Sequence, residues 1–114
     1  MQREIRKYLY DIRESIQSIE EYLGDTRDFT LYKSNKLLRR AVERELEIIG
    51  EAVNRILKMD ASIKIAEARR IVDLRNLVIH AYDKVDDIII WGIISKDIPR
   101  LRMQVEELMN HDKN

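Results

Sequence analysis

The chain has 114 residues, 45% hydrophobic and 37% charged, with 21 Lys and Arg balanced by 21 Asp and Glu. That length suits one domain with one core, and that apolar content excludes wholesale disorder. A formal net charge of zero argues against a broad phosphate-binding surface, so nucleic-acid contact must come from a local patch or from pairing two chains.

The absence of Cys excludes disulfides and thiolate metal sites, and two histidines, His80 and His111, are too few for a multi-histidine metal site within one chain. No cofactor or metal is therefore expected. No apolar stretch reaches about 18 residues, so no membrane span is expected. Met1-Gln2-Arg3-Glu4 lacks the apolar run of a signal peptide, which makes a cytoplasmic location the expectation.

With 3 Gly and 1 Pro the chain has few breakers, and its long periodic runs read as helices. Ile5, Leu9, Ile12, Ile16, Ile19 and Leu23 recur at three- and four-residue steps, predicting a helix over 3–23 that Gly24 stops. Residues 25–33 read as a connection. Ser34 is a suitable N-cap for a second helix to about Lys58. Its apolar positions, among them Leu38, Val42, Ile49, Val53 and Ile56, cover roughly half the circumference at about 100° per residue, as in a central helix with several neighbours. Glu45 falls inside that arc, whereas Glu47 and Glu51 point to its polar side.

A third helix is expected from about Ile65 to His80, and a turn over 83–87 with Asp86 as N-cap. A fourth follows through Ile88 and Ile94, apolar nearly all round, with Trp91 a core or dimer-surface residue. Pro99 predicts a break or junction near 97–99, after which Leu101, Val105 and Leu108 mark a last helix to about Asn110. The expected architecture is all-α: a four- to five-helix up-and-down bundle over residues 1–110, with a frayed polar tail at 111–114.

The run Arg75-Asn76-Leu77-Val78-Ile79-His80-Ala81-Tyr82 is the exception to the apolar pattern. It places four polar residue types in a segment that otherwise reads as core, where polar groups need partners or a ligand. On an ideal helix Asn76 and His80 share a face, Asp73 joins them, and Arg75 points about 140° away from His80. Cleavage of RNA by the neighbouring 2′-hydroxyl requires a base on that hydroxyl, an acid on the leaving oxygen and positive charge at the phosphorane. One His cannot be base and acid at once, but a two-fold dimer brings two His80 and two Arg75 to one cleft. Arg75 also suits a structural cation paired with Asp73 or Glu45. His80 suits a satisfied structural histidine, Asn76 a brace of the helix end, and Tyr82 a packing residue.

Arg75, four residues, His80, one residue and Tyr82 resembles the motif of the HepT branch of HEPN proteins. The resemblance spans nearly the whole chain, through Ala41-Val42-Glu43-Arg44, Glu47-Ile48-Ile49-Gly50-Glu51-Ala52, Arg75-Asn76, Val85-Asp86, Trp91 and Asp97-Ile98-Pro99. It implies a HEPN-type bundle, homodimeric or a higher even oligomer, acting on RNA as a metal-independent ribonuclease and as the toxin of a type VII toxin–antitoxin pair. It implies Arg75 and His80 as the catalytic pair, supported by Asn76 and Asp73. Tyr82 matches the tyrosine that receives AMP from a partner antitoxin of the minimal nucleotidyltransferase (MNT) type. Some HEPN relatives instead serve as the non-catalytic nucleotide- or substrate-binding partner of such a transferase, with Arg75 holding a phosphate. The chain departs from the family pattern at Ile63–Ala66, where a Pro-Trp pair is frequent, and at Asp73, where Gly is frequent. Asp73 beside His80 would orient the imidazole and raise its pKa, or would pair with Arg75 and blunt it.

Overall fold

The computed structural model describes residues 1–25, 27–66, 68–73 and 87–112. Among these there is no strand, and the elements form a helical bundle. Helix α1 spans Arg3–Leu23 and buries the expected stripe, with Leu9, Ile12 and Ile19 fully enclosed. Gly24 ends it at φ +66°, donating its N–H to the Glu20 carbonyl at 3.0 Å; a left-handed residue there strongly favours glycine.

Residues 25–33 hold more than a connection. Helix α2, Phe29–Ser34, starts on Asp28, whose side chain accepts from the backbone N–H groups of Thr30 at 2.8 Å and Leu31 at 3.4 Å. Six residues are too few for a helical period to stand out, and a helix this short depends on tertiary packing. That packing comes from Tyr32, 1% exposed, and Phe29, whose rings lie 5.3 and 5.9 Å from the Trp91 ring. Trp91 is accordingly half-buried against α2.

Helix α3 runs Lys36–Met59, and its N-cap is Asn35 rather than Ser34. Asn35 adopts φ −106°, ψ 96°, which breaks α2 from α3, and its side chain accepts from Leu38 N at 3.0 Å. Val42, Leu46, Ile49, Val53 and Ile56 are buried, and α1 packs against α3 along this face. Gly50 is buried within it.

Residues 68–73 are helical and are named α4 here; Ile65 and Ala66, expected inside this helix, precede it. The Asp86 cap and the turn over 83–87 lie outside the described residues, except for Asp87, which opens α5, Asp87–Gly92. Of the apolar run that follows, Ile90, Ile93 and Ile94 are buried, while Ile88 and Ile89 are 67% and 47% exposed.

At 97–99 the helix widens instead of breaking. Ile93–Asp97 forms a π turn, with the Ile98 N–H reaching back five residues to the Ile93 carbonyl, and α6 continues over Ile98–Asp112, two residues beyond the expected end. Pro99 lacks an N–H, and its ring would crowd the carbonyl four residues back in a regular helix. An enlarged turn just ahead of it relieves that conflict while letting the chain stay helical. Ile94, Asp97, Ile98, Leu101 and Val105 are all buried as a result, and Arg102 joins α6 to α1 through Glu20.

Candidate functional site

Arg75, Asn76, His80 and Tyr82 lie outside the described residues. Their frame is described up to Asp73, in α4. Asp73 is exposed and its carboxylate stands 3.5 Å from Arg69 Nε in an i, i+4 pair whose side chains are 60% and 90% exposed, respectively, which makes the contact a weak one.

Two stronger contacts hold the start of this segment. Arg70 Nε lies 3.1 Å from Asp97 Oδ2, and the Gln104 side-chain oxygen accepts from Ala66 N at 2.9 Å. Asp97 is 7% exposed, one of two buried polar residues among those described, the other being Ser15. Its Oδ2 has no aligned hydrogen-bond donor, so the approach of Arg70 is a charge contact. Sequence reading missed Asp97 as a functional candidate. The available signal was a carboxylate falling on the apolar stripe of Ile90, Ile94, Ile98 and Leu101, just before the proline.

Glu45, the other carboxylate considered as a partner for Arg75, accepts a hydrogen bond from Tyr22 of α1 at 2.9 Å, which holds the Tyr22 hydroxyl above its usual pKa. Glu51 pairs with Arg55 at 2.8 Å. Glu47 is half-buried and lines a groove of about 330 Å³ with Tyr8, Asp11, Arg44, Ile48 and Glu51. Three carboxylates against one guanidinium make that groove a poor phosphate site.

Glu43, at the start of the resemblance on α3, is enclosed beside Tyr32. Its side chain is 12% exposed and the Arg40 guanidinium approaches to 3.9 Å. Burial pushes the Glu43 carboxyl up, and Asp87 and Glu47 push the same way against Arg40 and Arg39. Burial likewise raises the Tyr32 hydroxyl, which has no hydrogen-bond partner, with Glu43 and Asp87 adding to it. A carboxyl whose folded pKa exceeds its unfolded one binds more protons when folded, so its contribution falls as pH rises through the folded value. Ionised Glu43 therefore lowers stability at neutral pH. Glu43→Gln is expected to raise the thermal midpoint at pH 7, with the gain vanishing below the ordinary carboxylate range; equal midpoints at pH 7 would contradict this.

Among the described residues no group of three His, Cys, Asp or Glu is placed to hold a metal ion, and no helix is long and apolar enough to cross a membrane.

Comparison with known proteins bears on what this frame carries. A protein of Methanocaldococcus jannaschii named "Putative RNase MJ1380" is 39% identical over 106 residues, covering 91% of this chain and 95% of its own. The "Probable ribonuclease HepT" of Thermococcus cleftensis is 38% identical over 114 residues, covering 95% of this chain and 98% of its own. A Caldanaerobacter subterraneus protein named "Putative RNase TTE0752" is 34% identical, covering 95% and 96%. No solved structure gives a significant match. Residues 12–108, from the middle of α1 to near the end of α6, match the family described as "Ribonuclease HepT-like". The chain belongs to the HepT-like ribonuclease family.

Proposed function

We propose that this protein is a metal-independent endoribonuclease, active as a homodimer, and the toxin of a type VII toxin–antitoxin pair. The observation that carries this reading is the Arg75-Asn76-x3-His80-x-Tyr82 run, set within a chain that matches the HepT-like family over residues 12–108.

The chemistry follows from those side chains. The imidazole of His80 from one protomer takes the proton of a ribose 2′-hydroxyl, and the 2′-oxygen attacks the adjacent phosphorus. The bond from phosphorus to the 5′-oxygen breaks, and that oxygen takes a proton from the imidazolium of the second protomer's His80. The products are a 2′,3′-cyclic phosphate and a free 5′-hydroxyl. The two Arg75 guanidinium groups stabilise the charge building on the phosphorane oxygens. Asn76 supports His80 at helical spacing, and Asp73 lies seven residues before it. An overall balanced charge suits a short local RNA contact rather than a long one.

Silencing runs through Tyr82. Its hydroxyl oxygen attacks the α-phosphorus of ATP on an MNT-type nucleotidyltransferase antitoxin, and pyrophosphate leaves. The adenylyl group adds bulk and negative charge next to a phosphate-binding cleft.

Incubating the purified chain with mixed cellular RNA in the presence of EDTA tests the activity. Cleavage is expected to persist undiminished and to leave 2′,3′-cyclic phosphate ends. Loss of cleavage on chelation, or 5′-phosphate ends, would overturn the mechanism.

A further inference from the structure

Asp97 is out of place on physical grounds. It sits in an apolar stripe with Ile90, Ile93, Ile94, Ile98 and Leu101, all 3% exposed or less, where another hydrophobe would pack without desolvating a charge. Its carboxylate faces Arg70 at 3.1 Å, and seven residues further along α6 the Gln104 oxygen accepts from Ala66 N. Residues 97 and 104 thus meet 70 and 66: the two segments pair in opposite chain directions and at two separate points.

Two such contacts do what apolar packing cannot. Hydrophobic attraction is non-directional, so two greasy helix faces slide or rotate against each other at modest cost. A charge contact and a directed hydrogen bond, spaced apart, select one axial register and one rotation. Asp97 closes the π turn over Ile93–Asp97 and is buried where it meets Arg70 of α4. Arg75 follows Arg70 by five residues, so the contact with Asp97 lies just ahead of the motif in the chain.

We propose that Asp97 is a positioning residue for the ribonuclease: with Arg70, and with Gln104 on Ala66 N, it clamps the lead-in of the segment that carries Arg75 and His80. This rests on the ribonuclease reading of that segment.

The test compares Asp97→Asn, Arg70→Gln, the double variant and Arg70→Lys in the full chain, with the wild type alongside. Each of the first two is expected to lower kcat about 10-fold while KM stays within about 2-fold, because misplacement of catalytic groups acts on the chemical step. The double variant is expected to be no worse than either single one, as for residues acting as a pair. Arg70→Lys, which keeps the charge, is expected to recover most of the rate. Amide hydrogen exchange over residues 74–82 should accelerate in the two neutral variants, with α1 and α3 unchanged.

Singles within 2-fold of wild-type kcat would overturn the clamp, as would exchange that rises equally throughout the chain, the mark of general destabilisation. Failure of the ribonuclease reading looks different: the wild type itself cleaves no RNA. The catalytic half of the proposal then falls too, and exchange over 74–82 decides its structural half.

Discussion

Replacing His80 by Ala is expected to lower RNA cleavage by about 10²–10⁴-fold, the range that a positioned acid or base contributes. In the proposed dimeric mechanism the effect falls at the upper end, because both protomers would carry the substitution and the cleft would lose its base and its acid together. Imidazole has an unperturbed pKa of about 6.5, which lets one copy accept a proton while the other donates one near neutral pH. The wild-type rate should accordingly trace a bell against pH, reporting the pair rather than either residue. Cleavage of a labelled RNA, with oligomeric state and thermal midpoint measured on the same preparations, separates chemistry from folding. A variant that stays folded and cuts as fast as the wild type removes His80 from the mechanism.

Modification of Tyr82 is expected to have the second-largest effect. A negative phosphodiester about 4 Å from a substrate phosphate, at an effective dielectric constant of about 20, is opposed by roughly 4 kcal/mol. Even half of that repulsion, reduced by screening, corresponds to about 30-fold, and steric block adds to it. Co-expression with a cognate MNT-type nucleotidyltransferase, the partner proposed above, should therefore add one or more adenylyl units in the intact mass, map them to Tyr82, and silence cleavage. Tyr82→Phe should cut RNA at close to the wild-type rate yet escape both the mass change and the silencing. Silencing of Tyr82→Phe by the partner would place the control elsewhere.

The legible and illegible parts of this molecule divide by sequence distance. The extents of α1 and α3 could be read because a helix writes its buried face into its own residues. Ile5 to Leu23 and Val42 to Ile56 carry the period, and Gly24 carries the stop. The Arg75, His80 and Tyr82 assignment is likewise a reading of local spacing and of the family resemblance. Helix α2 was not legible, since Phe29–Ser34 is shorter than two turns and its stability comes from Trp91, some sixty residues away. The N-cap shifted from Ser34 to Asn35 because both are acceptable caps, and the backbone break at Asn35 chose between them.

By itself, then, the sequence determined the all-helical class and the apolar faces of the two longest described helices, because each of these depends on neighbours within a few turns. Only the tertiary structure decided that the proline segment would stay helical through a π turn, that Asp97 would be buried opposite Arg70, and that Gln104 would meet Ala66. Those contacts join residues 27 and 38 positions apart, and no local period encodes which charge on one helix will face which on another. Packing chooses among them, since a buried carboxylate is tolerated only where the fold brings a partner to it.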